Sequence, residues 1–259
     1  MGAERFFNIK CRVSGLTPDA AVVVATVRAL KSHSGKYHVV AGRPLPDDML
    51  KENPDDVLMG AANLRKQLEN IRADGVEPVV AINAMPSDFQ SERDAIGEIA
   101  ASMGVRSAVG THFADGGRGA AEIAEAVAEV ASKPNNFHFL YPSEATLKEK
   151  IEALATRIYG ADGVDYTPLA SKQLDGYEKN GFGGLPVCIA KTQYSLSHDA
   201  SLKGAPSGFR LPVREVRASV GAGFIYPICG EMRTMPGLAS KPAAMSIDLD
   251  ENGNIVGLY

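Results

Sequence analysis

The sequence predicts an α/β protein with a parallel sheet and flanking helices, followed by a smaller C-terminal α/β lobe. In residues 6–140, short apolar runs alternate with segments of helical spacing, which is typical of a parallel sheet with right-handed crossovers. At Pro142 this alternation stops, and Gly and Pro become more frequent after residue 180. We therefore predict two domains, residues 1–141 and residues 142–259.

The most informative strand is Pro78–Ile82, a short apolar run after the turn-prone pair Asp74-Gly75. An uninterrupted apolar run of this length indicates a strand that is buried on both faces, as in a parallel sheet. Open α/β sheets bind their ligands at the carboxyl ends of such strands. The loop that follows is therefore the first place to look for a site.

That loop begins at Asn83 and turns at Met85-Pro86, because proline fixes φ and disfavours helix in the residue before it. We predict that Ser87 or Asp88 caps the following helix, Phe89–Met103. An amide, a thioether, a ring and a carboxylate in one loop suit a flat heterocycle. The alternative is a βα turn with a good helix cap and no ligand.

The remaining elements follow from the same patterns. A second buried strand is predicted at Ala20–Val27, an apolar β-branched run. Further strands are predicted at Ser107–His112, Asn136–Leu140, Pro186–Lys191, Val213–Ser219 and Gly223–Ile228, and helices at Val57–Arg72, Ala120–Ser132, Ser143–Tyr159 and Pro168–Asn180. Phe6–Arg12 is predicted as a short strand or loop, and Ile247–Tyr259 as a hairpin with an Asn252-Gly253 turn. The Gly-rich loop 113–119 could present backbone N–H groups to an anion, although turn geometry alone would explain its glycines.

Composition limits the classes of function. The chain has 259 residues, 45% of them hydrophobic and 22% charged, and a net charge of -4, which gives no reason to expect nucleic-acid binding. No apolar run is long enough for a membrane span and no signal peptide is recognisable at the start, so a cytoplasmic protein without a membrane role is expected. The three cysteines are widely spaced and form no CxxC pair, and no metal site is predicted.

A phosphate loop of the Gly-x-x-x-x-Gly-Lys-Ser/Thr type is absent from the 259 residues. The nearest approach is Ser34-Gly35-Lys36. It fails because Leu30 stands where the first glycine belongs and Tyr37 stands where Ser or Thr should follow.

Several stretches together resemble one family, the formate–tetrahydrofolate ligases (10-formyltetrahydrofolate synthetases). They are Val24-Ala25-Thr26-Val27-Arg28-Ala29-Leu30-Lys31-Ser32-His33, Phe6-Phe7-Asn8-Ile9-Lys10-Cys11-Arg12, Ile158-Tyr159-Gly160-Ala161-Asp162-Gly163-Val164, Ala190-Lys191-Thr192-Gln193-Tyr194-Ser195, Gly221-Ala222-Gly223-Phe224 and Thr234-Met235-Pro236-Gly237-Leu238. The resemblance covers essentially the whole chain. It places the chain as the C-terminal half of the family's longer protein and its sheet as part of a P-loop NTPase-like ligase.

The resemblance implies a reaction with three substrates. ATP, with Mg²⁺, activates formate to formyl phosphate, and the formyl group then passes to N10 of tetrahydrofolate. The family's phosphate loop lies in the N-terminal half, so a phosphate-loop half is the expected partner, and this chain alone is expected to be inactive. A homo-oligomer is also expected.

The resemblance also implies two sets of binding residues. Met85 and Phe113 match the two positions that flank the pterin in relatives, although those positions are usually aromatic and usually Trp, respectively. Phe6, Phe7, Asn83 and Pro86 fall on the nucleotide side. No catalytic residue is assigned to this chain.

Each assignment has a plainer alternative. At least one of Phe6 and Phe7 is expected in the core, and Asn83 could simply cap a turn. His33 and His112 fit satisfied polar groups better than catalysts, because neither has a Ser, Cys or metal partner in sequence. For the whole chain, the alternative is a non-catalytic remnant that binds folate or a protein partner.

Overall fold

The computed structural model describes residues 2–39, 44–230 and 242–257, without the side chain of residue 243. The quoted stretch 234–238 therefore lies outside the described residues. The helices are α1 Gly2–Arg5, α2 Arg12–Ser14, α3 Val27–His33, α4 Pro54–Met59, α5 Ala61–Arg72, α6 Gln90–Ser102, α7 His112–Asp115, α8 Ala121–Ala131, α9 Leu147–Ala153 and α10 Pro168–Lys179. Phe6–Cys11 and Leu154–Ile158 are π-helical turns, and Asp47–Leu50, Gly116–Ala120, Val220–Ala222 and Ala243–Met245 are 3₁₀ turns. The strands are β1 Ala21–Ala25, β2 Pro78–Asn83, β3 Arg106–Gly110, β4 Gly163–Tyr166, β5 Arg210–Ser219, β6 Phe224–Cys229, β7 Asp248–Leu249 and β8 Ile255–Val256.

The predicted parallel sheet is confirmed. Its strand order is β1-β2-β3, and both pairs are parallel, with Val23 opposite Val80 and Val80 opposite Ser107. Helices α3 to α6 cover one face of the sheet, and α8 covers β2 and β3 on the other. The middle strand β2 is accordingly buried on both faces, as its apolar run predicted.

The predicted C-terminal α/β lobe is also confirmed. Its sheet has the order β4-β5-β6, with a parallel and an antiparallel pair, and it packs with α9 and α10 around a separate core. That core includes Leu140 and Tyr141, from just before the predicted boundary at 141/142, and the boundary itself stays a prediction. In the tail, β7 and β8 form the predicted hairpin, and Gly253 takes the positive φ of its turn.

Four predicted elements are wrong. Phe6–Arg12 is helical rather than extended, because Phe7 and Cys11 turn inward on one side to pack against Ile71 and Val76. Residues 136–140 form no strand, and Pro186–Lys191 makes only isolated bridges to β6. The helix expected at Val57–Arg72 is two helices, α4 and α5, which are separated at Gly60, where the backbone passes close to the Leu30 carbonyl group.

Candidate active-site crevice

Because β1, β2 and β3 are parallel, their carboxyl ends lie on the same side of the first sheet. Asn83 is opposite Gly110 in the β2–β3 ladder, and the next amide, Ala84 N–H, donates to the Gly110 carbonyl at 3.0 Å. The loops after β2 and β3 therefore begin side by side, at neighbouring positions of the two strands. Met85 follows this bond directly, and Phe113 lies three residues beyond Gly110. The structure thus brings together the two loops that carry the predicted folate-side residues.

The Met85 loop is held as a tight turn. Asp88 Oδ2 accepts from the Met85 N–H at 2.8 Å, and Asp88 N–H donates back to the Met85 carbonyl at 3.0 Å. The Asp88 carboxylate therefore stabilises this turn instead of the first turn of α6. The prediction that Ser87 or Asp88 caps α6 is wrong. The cap is made instead by Glu92, whose Oε2 accepts from the Phe89 N–H at 3.2 Å.

The Phe113 loop is fixed by a close backbone approach. Thr111 N–H donates to the Gly119 carbonyl at 2.9 Å, and Thr111 Oγ1 donates to Asp115 Oδ2 at 2.7 Å. A Cβ at Gly119 would lie 2.6 Å from the Thr111 carbonyl carbon, so only glycine allows the Gly-rich loop to fold back here. Phe113 is left 71% exposed, with a ring face free for stacking.

Two polar atoms at this edge are buried without a hydrogen-bond partner. They are Asn83 Oδ1 and Arg28 Nε. Arg28 comes from the first turn of α3, directly after β1, and its Nη2 donates to Ser87 Oγ at 3.0 Å, which ties α3 to the Met85 loop. A buried unpaired polar group costs about 1–3 kcal/mol, so this pair suits a ligand that supplies a donor to the amide and an acceptor to the guanidinium.

The predicted nucleotide-side residues do not all lie together. Asn83 and exposed Pro86 are at the carboxyl end of β2, whereas Phe7 is buried against Phe137, with ring centroids 5.9 Å apart, near the amino end. The length of β2, about 20 Å at roughly 3.3 Å per residue, separates the two ends. Phe7 is therefore a core residue, as expected for one of the pair, and the half-exposed Phe6 lies beside it, with ring centroids 5.9 Å apart.

The stretch 24–33 has structural roles that its sequence did not reveal. Lys31 is buried, forms an ion pair with Glu92 and donates to the backbone carbonyls of Met49 at 3.0 Å and Lys51 at 2.6 Å. His33 Nδ1 accepts from the Gly204 N–H at 3.2 Å, and burial lowers the pKa of its ring. This stretch therefore joins the loop before α4, helix α6 and the second lobe to the carboxyl end of β1.

Lys191, which lies in the stretch 190–195 that resembles the family, has a structural role. Lys191 is buried and donates to the carbonyls of Thr192 at 3.2 Å and Ser197 at 3.1 Å, and also to that of Ser195. Burial lowers its pKa to about 8. Its ammonium group thus organises the loop 192–197.

A cavity of about 660 Å³ lies between the loop after α3 and residues 194–203, and Lys36, Tyr37, Tyr194 and Lys203 are among the residues that line it. None of the six predicted site residues lines this cavity. The candidate site at the carboxyl ends of β2 and β3 is therefore separate from this cavity.

The structure adds two observations on metals and membranes. Across residues 2–39, 44–230 and 242–257, no three His, Cys, Asp or Glu side chains are grouped so that they could hold a metal ion. Within the same ranges, no helix combines the length and apolar character needed to cross a membrane.

Comparison with known proteins gives one consistent family. The family model described as formate–tetrahydrofolate ligase matches residues 1–259. The chain is 68% identical over 258 residues to a formate–tetrahydrofolate ligase of Saccharopolyspora erythraea, 61% identical over 268 residues to formate–tetrahydrofolate ligase 3 of Rubrobacter xylanophilus, and 58% identical over 259 residues to the ligase of Cutibacterium acnes. Each match covers 100% of this chain but only 46–47% of the relative, so the chain spans about half the length of these relatives. Its assignment to the C-terminal half stays a prediction.

Proposed function

Because the chain belongs to the formate–tetrahydrofolate ligase family, we propose that it supplies the folate- and adenine-side walls of an ATP-dependent ligase that formylates tetrahydrofolate. The observation that carries this proposal is the meeting of the Met85 and Phe113 loops across the Ala84–Gly110 hydrogen bond. Two adjacent parallel strands thereby direct both loops to one crevice, the usual ligand position in an open α/β sheet.

In this proposal, Met85 and Phe113 hold the pterin ring. The exposed ring of Phe113 offers a stacking face, and the thioether of half-buried Met85 adds a contact worth about 0.3–1.5 kcal/mol against an aromatic ring. The chemical contribution of these two side chains is positioning, because holding the pterin ring in one plane restricts where N10, which is linked to the ring by one methylene group, can lie relative to the formyl donor.

Asn83 and Pro86 are proposed to contact the nucleotide. The nucleotide role of Phe6 rests on the family resemblance alone, because the length of β2 separates Phe6 from Asn83 and Pro86. The unpaired Oδ1 of Asn83 supports its part, since an exocyclic amine on a purine would satisfy that acceptor. Phe7 would act only through the packing that supports Phe6.

We include ATP, formate and Mg²⁺ in this proposal because the chain belongs to the formate–tetrahydrofolate ligase family. The described residues offer no cluster of metal ligands, so we assign no Mg²⁺ ligand to them and no step that passes through the ion. Formyl phosphate would form on a phosphate loop that the 259 residues do not contain. We therefore propose that activity requires a phosphate-loop half in addition to this chain.

The experiment is a formylation assay. The purified chain is incubated with ATP, formate and tetrahydrofolate, alone and after co-expression with the part of the Saccharopolyspora erythraea relative that this chain does not match. We expect no 10-formyltetrahydrofolate from the chain alone and turnover from the pair. Turnover by the chain alone, free of host enzyme, would refute the proposal that activity requires a phosphate-loop half.

The second candidate is a non-catalytic remnant that binds folate or a protein partner. The absence of a phosphate loop in the 259 residues favours it. A co-expressed pair that binds tetrahydrofolate but makes no product would support this candidate.

A further inference from the structure

Strand β1 is an edge strand of the described sheet, and nothing in its sequence protects it. It reads Ala-Val-Val-Val-Ala and pairs with β2 alone. Natural proteins protect free edges with charges, prolines or bulges, because unpaired backbone groups otherwise recruit another strand. The opposite edge, β3, follows this rule, since it begins with Arg106, whose side chain pairs with Glu129 at 3.4 Å.

The side chains of β1 are also left uncovered on one face. Val22 is 46% exposed and Val24 is 64% exposed, although the sequence predicted a buried strand. The prediction is wrong because α8 packs over β3 and β2 and does not extend over β1. The neighbouring residues Ala21 and Val23 turn to the other face, where they pack against the cluster that contains Phe7 and Ile71.

The backbone direction at β1 is fixed by its bond to β2. Ala21 N–H donates to the Glu77 carbonyl at 3.2 Å. Because successive residues of a strand direct their backbone groups to opposite edges, the N–H and C=O groups of Val22 and Val24 point away from β2. The free edge and the uncovered apolar face therefore coincide at the same two valines.

We propose that β1 pairs in parallel with a strand from the part of the ligase that this chain does not span, and that the carboxyl end of that strand completes the crevice beside Arg28. The proposal rests on the proposed function. The relatives contain enough additional chain to supply this strand, because the part of each relative that this chain does not match is longer than the matched part. Arg28 indicates where the loop after the partner strand would lie, because Arg28 closely follows β1 and its buried Nε has no hydrogen-bond partner.

A parallel neighbour explains both features at once. It would satisfy the backbone groups of Val22 and Val24, and its own following loop would emerge next to Arg28, where an anionic or acceptor group is missing. An antiparallel pairing of two copies of this chain about a twofold axis would satisfy the backbone but would place the carboxyl ends at opposite sides. The two arrangements therefore predict different crevices and different stoichiometries.

The test is amide hydrogen exchange on this chain, alone at a dilution where it is monomeric and co-expressed with the unmatched part of the Saccharopolyspora erythraea relative. We expect exchange at the Val22 and Val24 amides to slow at least tenfold in the pair. Protection of both amides in the dilute chain alone, protection that rises with its own concentration, or a pair in which these amides stay unprotected would each overturn the proposal.

Two variants and a control complete the test. Val24→Pro removes an outward N–H at an edge position that tolerates proline, and Val24→Lys charges the uncovered face. Both should weaken association with the unmatched part at least tenfold in sedimentation, while circular dichroism shows a folded chain. The control Val220→Lys changes a valine of similar exposure, 51%, in the other lobe and should not affect association. Equal association of all three variants with the partner would contradict strand pairing.

These measurements need no ATP or folate. A pair that associates through β1 but fails to bind tetrahydrofolate would refute the proposed function and leave the interface standing. A pair that binds tetrahydrofolate while Val22 and Val24 remain unprotected would refute the interface alone.

Discussion

Lys31 and Glu92 form an ion pair in which both side chains are only 2% exposed. Each partner also bonds to the backbone, Lys31 to Met49 and Lys51, and Glu92 to the Asn53 N–H at 2.9 Å. The pair therefore links α3, α6 and the loop before α4. Because α3 also carries Arg28 and α6 follows the Met85 loop, loss of the pair should lower the stability of the elements that hold the crevice.

Lys31→Met should lower the free energy of unfolding by about 3–5 kcal/mol, because it leaves the Glu92 carboxylate buried without a counter-charge. Urea denaturation of the chain checks this. The double variant Lys31→Met/Glu92→Gln should recover part of the loss. As a control, Lys51→Met breaks an ion pair with Asp48 in which both side chains are exposed, and it should have a much smaller effect than Lys31→Met. Equal effects of the two lysine variants would contradict this role.

Asp74 predicts a pH dependence of stability. It is buried beneath the helical turn Phe6–Cys11, where its Oδ1 accepts from Asn8 Nδ2 at 3.1 Å and its Oδ2 has no partner. Burial raises its pKa to about 6, and only part of this is offset by the Asn8 bond. Because the folded state favours the protonated carboxyl, this contribution to stability is complete below about pH 4 and is lost as the pH rises to about 6. The loss is about 3 kcal/mol at 1.36 kcal/mol per pKa unit.

Asp74→Asn should remove this dependence, because a neutral amide can still accept from Asn8 and is not ionised. Urea denaturation at pH 4.5, 6 and 7.5 should therefore give the variant a flatter profile and a higher free energy of unfolding at pH 7.5. The control Asp175→Asn changes an exposed carboxylate and should keep the wild-type profile. An unchanged slope in Asp74→Asn would show that another group titrates.

Gly60, between α4 and α5, and Gly176, within α10, differ in how much space surrounds them. A Cβ at Gly60 would lie 1.9 Å from the Leu30 carbonyl oxygen, whereas a Cβ at Gly176 in α10 would meet nothing within 4 Å. Gly60→Ala should therefore destabilise the chain by about 1–3 kcal/mol, and Gly176→Ala should stabilise it by about 0.5–1 kcal/mol. Thermal denaturation of the two variants decides this, and a shift of the same sign in both would contradict the close approach at Gly60.

The sequence was sufficient for the regular parts of the first sheet. The apolar run of β2 and the helical spacing of α5, α6 and α8 predicted their type and approximate position, because burial and local periodicity agree there. Loop-level features were not predictable in the same way. The buried pair Lys31–Glu92 depends on contacts between residues far apart in the chain, and the exposure of Val24 depends on which strands a helix covers. The bond of Asp88 to Met85 is local, but it competes with the helix-cap role that the same position allows.

The candidate site was predictable only in part. The strand-end rule located the loop that contains Asn83 and Met85, and the resemblance assigned Met85 and Phe113 to the folate side. The structure brings the loops of these residues together at the carboxyl ends of β2 and β3. Phe6 and Phe7 came from the resemblance alone, and packing places Phe7 in the core at the amino end of β2. Arg28 was missed as a site residue, because an unpaired buried Nε becomes visible only when the neighbouring loop is positioned.

Met85→Phe should tighten tetrahydrofolate binding. Methionine loses more rotamer freedom than a ring when it packs in one pose, and the substitution offers a second stacking face opposite Phe113. Calorimetric titration of tetrahydrofolate into the co-expressed pair measures the change. Met59→Phe, at an exposed methionine in α4, serves as the control and should leave the affinity unchanged. Weaker binding by Met85→Phe would mean that the ligand needs the flexible thioether.

The most direct test of the proposed folate site is the same titration with Phe113→Ala. If the pterin stacks on this ring, the variant should bind tetrahydrofolate more weakly by about 1–3 kcal/mol, the range for a base on an aromatic side chain. Phe139→Ala, which removes a ring that packs under Arg12 and near Phe137, should leave the affinity unchanged. A wild-type affinity in Phe113→Ala would contradict the account, because the crevice between the Met85 and Phe113 loops would then not be the pterin site.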